Sequence, residues 1–265
     1  MFTIEDYIIP KTLDDAYKVL TENRNNTVLA GCTFLRLGSK KVKIGIDLSR
    51  LELDYIEEKE QYIEIGAMTT LREIEVSEIL NSNFSGILPK SVKNIVGVQF
   101  RNIATVGANV YSKFCFGDIT NALLALNAEV FLFQGGRISL KKFLTYENCR
   151  DILIKIIIPR REIKASYQSI RNSYSDYSIL NVAVSKGRDG WTIAVGARPG
   201  IPQVALNSSV FLNKSSLKDE DILYSSKLAT EELKFGSNMI GSEEYRKNIC
   251  EVLVRRAIQE VLSCK

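Results

Sequence analysis

The sequence contains no histidine among its 265 residues. A chain without histidine cannot build a Ser-His-Asp or Cys-His nucleophilic site, a histidine metal ligand or a flavin attached through histidine. Any chemistry must therefore come from carboxylates, lysine, tyrosine, cysteine or a bound cofactor. No obvious acid–base pair is present, and Tyr111, Tyr174 and Tyr177 are interpreted as packing or surface residues.

Cysteine is scarce and scattered. The five cysteines lie far apart, and no CxxC occurs. This pattern favours reduced thiols, and it gives neither zinc nor an iron–sulfur cluster its usual ligand spacing, so we expect no metal site. Cys32 and Cys115 are interpreted as small buried residues, with an oxidation-sensitive thiol as the alternative.

The sequence also lacks a concentration of charge and a long apolar run. The net charge is +4, spread along the chain, which does not favour nucleic acid as a partner. No stretch approaches the roughly 18 apolar residues that span a membrane, and the first residues lack the features of a secretion signal. We expect a cytoplasmic protein without a membrane span.

Periodicity divides the sequence into three parts. Residues 1–52 predict a small α/β unit, with Thr12 capping a helix between the first two strands. Residues 53–163 predict a hairpin, a helix from about Arg72 to Leu80 capped at Thr70, and further helices and strands. From about residue 164, strands, a tight hairpin and a tail helix capped by Ser242 predict a smaller domain.

Two segments predict a strand that ends at a glycine. They are "VLAGCTF", which turns at Gly31, and "FRNIATVGANV", which turns at Gly107. Glycine permits tight turns and close approach of a ligand, so the amides of residues 31–34 and 107–109 are candidate phosphate donors. The alternative is that both glycines are ordinary turn residues. Neither GxGxxG nor GxxxxGK[ST] is present, so the nucleotide-binding motifs of Rossmann and P-loop proteins are excluded.

A series of motifs resembles the FAD-binding subunit of the molybdenum hydroxylases, the family of xanthine dehydrogenases and carbon monoxide dehydrogenases. In chain order these are "LAGCTFLRL", "IDLSRL", "YIEIGAMTTLREIE", "GVQFRNIATVGANV", "DITNALLALNAEVFL", "RISLKKFL", "DYSILNVAVS" and "GSEEYRKNICEVLVRRAI". The resemblance covers essentially the whole chain. It implies an α+β fold, with a FAD-binding domain at residues 1–163, formed by two α/β subdomains (about 1–52 and 53–163), and a C-terminal domain at 164–265 with an antiparallel sheet and helices.

The same resemblance implies which residues bind FAD. The first diphosphate loop would surround Gly31, the second would surround Gly107, and other residues would lie near the ribityl chain or the flavin ring. The implied residues are Leu29, Ala30, Gly31, Cys32, Thr33, Phe34, Thr105, Gly107, Ala108, Asn109, Ser112, Asp118 and Leu153. From its position alone, Asp118 is either the cap of a helix or an acceptor for a ligand hydroxyl.

The sequence departs from the family pattern at several of these positions. The second glycine of each loop is replaced, by Cys32 in one and by Ala108 in the other. Phe114 and Cys115 stand where a Ser-Pro pair is expected, and Ile95 stands where some relatives place an aromatic ring over the flavin. Each added β-carbon reduces the room for the diphosphate.

The resemblance implies a subunit of an oxidoreductase. Electrons would pass from an iron–sulfur subunit through FAD to NAD or another acceptor, with a molybdopterin-binding large subunit as the second partner. Two alternatives stay open: a flavin-free scaffold subunit of such a complex, and a stand-alone flavoenzyme. On the FAD hypothesis, Gly31→Val or Gly107→Val is expected to abolish flavin retention while the chain still folds.

Overall fold

The computed structural model describes residues 1–147 and 150–263. The predicted fold class, α+β, is confirmed, since helices surround one parallel sheet and two antiparallel sheets. Every helix among the described residues is too short or too polar to span a bilayer. Cys149 and Cys264 lie outside the described residues.

The strands, in chain order, are β1 Thr3–Ile8, β2 Thr27–Leu29, β3 Lys41–Asp47, β4 Ile56–Glu58, β5 Tyr62–Gly66, β6 Glu129–Leu132, β7 Gly136–Ser139, β8 Leu153–Pro159, β9 Lys164–Arg171, β10 Ser178–Gly187, β11 Gly190–Gly196 and β12 Gln203–Val204. The α-helices are α1 Leu13–Glu22, α2 Leu71–Val76, α3 Glu78–Ser82, α4 Ile87–Val92, α5 Val98–Arg101, α6 Val106–Tyr111, α7 Asp118–Ala125, α8 Leu140–Thr145, α9 Leu206–Lys214, α10 Asp219–Glu232 and α11 Glu243–Ser263. Short 3₁₀ helices cover Leu35–Leu37 and Phe84–Gly86.

The N-terminal part is built on the parallel three-stranded sheet β1-β3-β2. Helix α1 begins after Thr12, whose hydroxyl accepts a hydrogen bond from Asp15 N at 3.1 Å, so the predicted cap is confirmed. At the carboxyl end of the sheet, Leu29 of β2 pairs with Asp47 of β3. The segment after Leu29 therefore leaves the edge of the sheet at which α/β folds commonly bind ligands.

The middle part contains the five-stranded sheet β4-β5-β8-β6-β7, in which every neighbouring pair is antiparallel. The predicted hairpin is confirmed as β4 and β5, and Thr70 forms a capping box with Glu73 at the start of α2. The predicted continuation of this helix to Leu80 is interrupted at Ser77. Ser77 has an extended backbone and accepts a hydrogen bond from Leu80 N at 3.3 Å, so it ends α2 and begins α3.

The predicted strand before Gly107 is wrong, because this segment forms helices α5 and α6. Thr105 begins α6, and its hydroxyl accepts a hydrogen bond from Ala108 N at 3.3 Å. Arg101, at the end of α5, forms an ion pair with Glu75 at 2.8 Å, and both side chains are largely buried. The β-branched residues favour a strand locally, but the cap and the buried ion pair override that propensity.

The C-terminal part is built on the antiparallel four-stranded sheet β12-β11-β10-β9. The predicted hairpin is confirmed as β10 and β11, with Gly187 paired to Gly190 across the turn. The tail helix is confirmed as α11, and Ser242 accepts a hydrogen bond from Tyr245 N at 3.2 Å. Alternate residues of β10 belong to two different core clusters, so α7 and α11 pack on opposite faces of this sheet.

Candidate functional site

A cleft of about 800 Å³ lies where the segment after β2 meets the start of α6. This volume is within the range of small-molecule and cofactor pockets. Most residues implied by the resemblance lie in its wall: Ala30, Gly31, Cys32, Thr33, Phe34, Thr105, Gly107, Ala108, Asn109, Ser112 and Leu153. The two glycine segments, which are distant in the sequence, therefore border the same cleft.

The first segment lines the cleft with backbone amides that have no acceptor among the described residues. None of the described residues accepts a hydrogen bond from the amides of residues 31–34, which are half-buried. Cys32 within this segment has a left-handed backbone, with a φ of 52°. Left-handed residues in turns are a feature of the backbone nests that bind anions, so this segment is suited to a phosphate group.

Gly31 and Gly107 have no room for a side chain. A β-carbon on Gly31 would lie 2.0 Å from Ile103 O, and one on Gly107 would lie 2.5 Å from Ala67 O. The neighbours are backbone atoms of other segments, so the two glycines allow the walls of the cleft to pack together. The structure therefore does not support the expectation that valine at either position leaves the fold intact.

The second segment does not supply the amide nest that was expected of it. Gly107 N donates to Ala67 O at 2.9 Å. Ala108 N and Asn109 N donate to the side-chain and main-chain oxygens of Thr105, at 3.3 and 3.2 Å respectively. These amides belong to the first turn of α6, and the cap and a neighbouring strand end already satisfy them. The second segment therefore shapes the cleft without adding free amides.

Asp118 lies outside the wall of the cleft, so the structure does not support its expected position beside the ribityl chain. It does not cap α7 either, because Gly117 is the capping residue and no side chain bonds to that helix end. Instead, its carboxylate accepts hydrogen bonds from Tyr167 Oη, Ser178 Oγ and Arg171 Nη2, each at 2.6 Å. Asp118 thus connects α7 to β9 and β10.

Leu29 is the other implied residue outside the wall of the cleft. Its side chain is buried and covers Gly45 of the neighbouring strand β3. A β-carbon on Gly45 would lie 2.7 Å from Leu29 Cδ1. Leu29 is therefore a core residue that anchors the loop following it.

Arg150 and Asp151 lie in the wall but were not found by sequence reasoning, because no motif marks them. Arg150 donates to the carbonyl oxygens of Leu20, Asn23 and Arg24, and it thereby caps the carboxyl end of α1. Asp151 accepts hydrogen bonds from the backbone amides of Gln134 and Gly135, in the turn between β6 and β7, and from the amide of Ile152. Both charged side chains therefore stabilise the backbone around the cleft through hydrogen bonds.

An aromatic cluster adjoins the cleft. Phe34 and Phe114 line the wall, with ring centroids 4.5 Å apart. Phe116 stacks on Phe114 at 5.2 Å, and Tyr177 lies 4.4 Å from Phe116. Phe34 follows β2, the other two phenylalanines follow α6, and Tyr177 precedes β10. The cluster therefore joins all three parts of the fold, and Tyr177 packs as the sequence analysis expected.

Two family profiles match nearly the whole chain. Residues 2–161 match the FAD binding domain in molybdopterin dehydrogenase, and residues 165–261 match the CO dehydrogenase flavoprotein C-terminal domain. The chain therefore belongs to the family defined by the FAD binding domain in molybdopterin dehydrogenase. The resemblance drawn from the motifs is confirmed, and so is FAD as the cofactor of this flavoprotein subunit.

Individual relatives agree with this assignment. The flavoprotein subunit is 27% identical to the nicotine 6-hydroxylase medium subunit of Paenarthrobacter nicotinovorans, over 96% of both chains. It is 26% identical to the glyceraldehyde dehydrogenase medium chain of Sulfolobus acidocaldarius, over 96% of this chain and 97% of that one. The chain is thus an FAD-binding medium subunit of the molybdenum hydroxylase type, and hence a subunit of an oxidoreductase.

Solved structures share the fold of the flavoprotein subunit. The Cu,Mo-CO dehydrogenase has a TM-score of 0.88 at 23% identity, over 98% of both chains. Quinoline 2-oxidoreductase from Pseudomonas putida 86 has a TM-score of 0.85 at 20% identity, over 98% of this chain and 96% of that one. At these identities the similarity establishes the architecture, and residue roles must come from the cleft itself.

The residues of the cleft fit FAD. The half-buried amides of residues 31–34 lack partners within the described chain, and a diphosphate is the part of FAD that accepts such hydrogen bonds. The cleft is also large enough, at about 800 Å³, for a cofactor of drug-like size or more. Replacement of the second glycine by Cys32 has therefore not removed the free donors of this loop.

Cys32 is half-buried, and its Sγ donates to Ala30 O at 3.1 Å. Desolvation by burial raises the pKa of the Cys32 thiol above its ordinary value. The thiol is therefore protonated at neutral pH and is a weak nucleophile. This supports the interpretation of Cys32 as a small packed residue rather than a reactive thiol.

Replacing Cys32 with glycine is expected to tighten FAD binding without loss of stability. A residue with a side chain in the left-handed region costs about 1 kcal/mol, and glycine removes both that cost and the β-carbon nearest the loop amides. Titration of the apo chain with FAD, followed through quenching of flavin fluorescence, measures the change. Ala108→Gly is the matched control: it lies inside α6, so glycine there should lower the free energy of unfolding by about 0.5–1 kcal/mol. Weaker FAD binding by Cys32→Gly would contradict the role of this loop.

Proposed function

We propose that this flavoprotein subunit passes electrons from an iron–sulfur subunit, through FAD held in the cleft, to NAD or another acceptor. A molybdopterin-binding large subunit is the second partner and acts on the substrate. The observation that carries the proposal is the run of amides at residues 31–34, which have no acceptor among the described residues and lie in the wall of a cofactor-sized cleft. The names of two relatives support it, because they describe the medium subunit of a hydroxylase and the medium chain of a dehydrogenase.

Bound FAD would supply the ability to exchange electrons singly with one partner and in pairs with another. The chain itself contributes binding and orientation. The amides of residues 31–34 and the Thr33 hydroxyl would hold the diphosphate, while Asn109, Ser112 and Leu153, which also lie in the wall, would border the rest of the cofactor. The aromatic cluster around Phe34 and Phe114 gives one side of the cleft an apolar surface.

The charged groups of the wall favour electron transfer over acid–base chemistry. Asp151 is the one carboxylate among the described residues of the wall, and backbone N–H groups occupy its oxygens. A general acid or base needs a free site within reach of the substrate proton. This cleft therefore suits a cofactor-holding subunit better than a stand-alone flavoenzyme that acts directly on a small substrate.

The domain organisation proposed with this function is a FAD-binding domain at residues 1–163, with subdomains at about 1–52 and 53–163, and a C-terminal domain at 164–265. The family matches, which end at residue 161 and resume at residue 165, support this boundary. We place the complex in the cytoplasm, where the thiols of Cys32, Cys115 and Cys250, which are free in the structure, stay reduced.

The absorption spectrum of the purified chain tests the proposal. We expect the bands of oxidised flavin, release of FAD on denaturation, and no iron or molybdenum in the chain alone. Co-expression with its partners should then give a complex in which the flavin is reduced when the substrate of the large subunit is added. A colourless chain that also fails to take up added FAD would overturn the proposal and favour a flavin-free scaffold subunit.

A further inference from the structure

The wall of the cleft has an excess of positive charge. Of its described residues, Arg24, Lys40 and Arg150 are cations and Asp151 is the one anion. Arg150 and Asp151 are held in place by the backbone, since Arg150 donates to carbonyl oxygens at the end of α1 and Asp151 accepts from backbone amides. In this count the charges of Arg150 and Asp151 cancel, so the net positive charge of the wall equals that of Arg24 and Lys40.

Arg24 and Lys40 have no carboxylate partner within the described part of the chain. Both residues are exposed, so their side chains are solvated and can adjust to a ligand. They flank the phosphate-binding loop in the sequence, Arg24 just before β2 and Lys40 just before β3. The positive charge thus lies on the side of the cleft formed by the three-stranded sheet, together with the free amides of residues 31–34.

We propose that Arg24 and Lys40 form a cationic wall for the diphosphate, so that the phosphates of FAD contribute to its affinity beyond the hydrogen bonds of the loop. The inference rests on the proposed FAD site and specifies how that site selects its ligand. Loop amides are neutral donors, whereas a dinucleotide diphosphate brings a negative charge on each phosphate into the cleft. Two unpaired cations beside the loop offset that charge and attract the ligand over distances that a hydrogen bond does not reach.

The consequence is a defined order of affinities. Adenosine diphosphate, which contains no flavin, should compete with FAD for the apo chain. Riboflavin, which contains no phosphate, should bind far more weakly. Because the cations are exposed, their contribution should depend on ionic strength and largely disappear at about 0.5 M salt, where screening acts over a few ångströms.

The test compares two double variants of the full chain in the apo form. In Arg24→Gln/Lys40→Gln, we expect the Kd values of FAD and of adenosine diphosphate to rise together, about tenfold at low salt, while the weak binding of riboflavin is unchanged. The control is Lys214→Gln/Lys227→Gln, which removes the same charge from exposed residues of α9 and α10 in the C-terminal part, outside the wall of the cleft. The control should bind all three ligands as the unmodified chain does.

The outcomes separate this inference from the proposed function. If the unmodified chain binds neither FAD nor adenosine diphosphate, the FAD site itself is wrong. If it binds FAD but the two double variants bind equally well, or equally poorly, the cationic wall is wrong and the FAD site stands. If riboflavin binds as tightly as FAD, the flavin half dominates and the inference is overturned.

Discussion

Gly31→Ala is expected to lower the free energy of unfolding by about 3 kcal/mol or more, at the upper end of the range for overpacked sites. The added β-carbon would lie 2.0 Å from Ile103 O and 2.6 Å from the carbonyl carbon of the same residue. These are backbone atoms of the segment between α5 and α6, so neither wall of the cleft can yield without displacing the other. Denaturation of the apo chain with urea, followed by circular dichroism, measures the loss.

Gly38→Ala is the matched control for this variant. Gly38 also lies in the wall of the cleft, but its φ is −95° and the nearest atom to an added β-carbon is Leu35 O at 3.6 Å. That contact is ordinary, so we expect a change within about 0.5 kcal/mol. If Gly31→Ala were as stable as Gly38→Ala, the close packing of the two walls would be wrong, and the glycine would serve the ligand alone.

Local signals in the sequence were sufficient for elements whose caps are also local. Thr12, Thr70 and Ser242 each begin a helix by accepting a hydrogen bond from an amide a few residues later, and their sequence neighbours specify that bond. The same holds for the hairpin that ends in Gly187 and Gly190, whose pairing depends on a short turn. These features could be predicted because the atoms involved are close in the chain.

The segment before Gly107 could not be predicted in this way. Its β-branched residues favour a strand, but Arg101 is held by Glu75, which lies 26 residues earlier, and the pair is largely buried. Thr105 then caps a helix and pairs with Thr70 across an isolated bridge. Contacts between distant segments decide this conformation, and a single sequence does not show them.

The sequence predicted that both glycine segments border one site, but it predicted neither the bonded amides of the second segment nor the charges of the wall. The glycine pattern indicated that Gly31 and Gly107 border one cleft, because glycine at such positions allows a close approach of the backbone. The contributions of Arg24 and Lys40 have no motif, since exposed cations are common and only the fold places these two beside the cleft. Asp118 illustrates the opposite case: its position fits a ligand contact, but the fold places it in a buried network.

Asp118→Asn is expected to lower the free energy of unfolding by about 3–5 kcal/mol, because it removes one partner of a buried ion pair. The Asp118 and Arg171 side chains are 5% and 7% exposed, and Asp118 Oδ1 also accepts a hydrogen bond from Asn181 Nδ2 at 2.7 Å. Burial, and next the charge of Asp118, raise the pKa of Tyr167 well above its ordinary value, so Tyr167 remains a donor to this carboxylate. An asparagine leaves the guanidinium uncompensated and turns an amide donor toward these donors.

Denaturation with urea measures this loss of stability, and two further variants serve as controls for the buried charge. Glu129→Gln breaks the exposed pair with Arg137 and should cost less than about 1 kcal/mol. Asp118→Asn combined with Arg171→Met removes both buried charges and should recover part of the stability, since an apolar replacement carries no unpaired charge. The FAD affinity of the folded fraction should be unchanged, because Asp118 lies outside the wall of the cleft. An Asp118→Asn chain that is as stable as the unmodified one but has lost FAD would instead make Asp118 a ligand contact, as its position in the sequence implied.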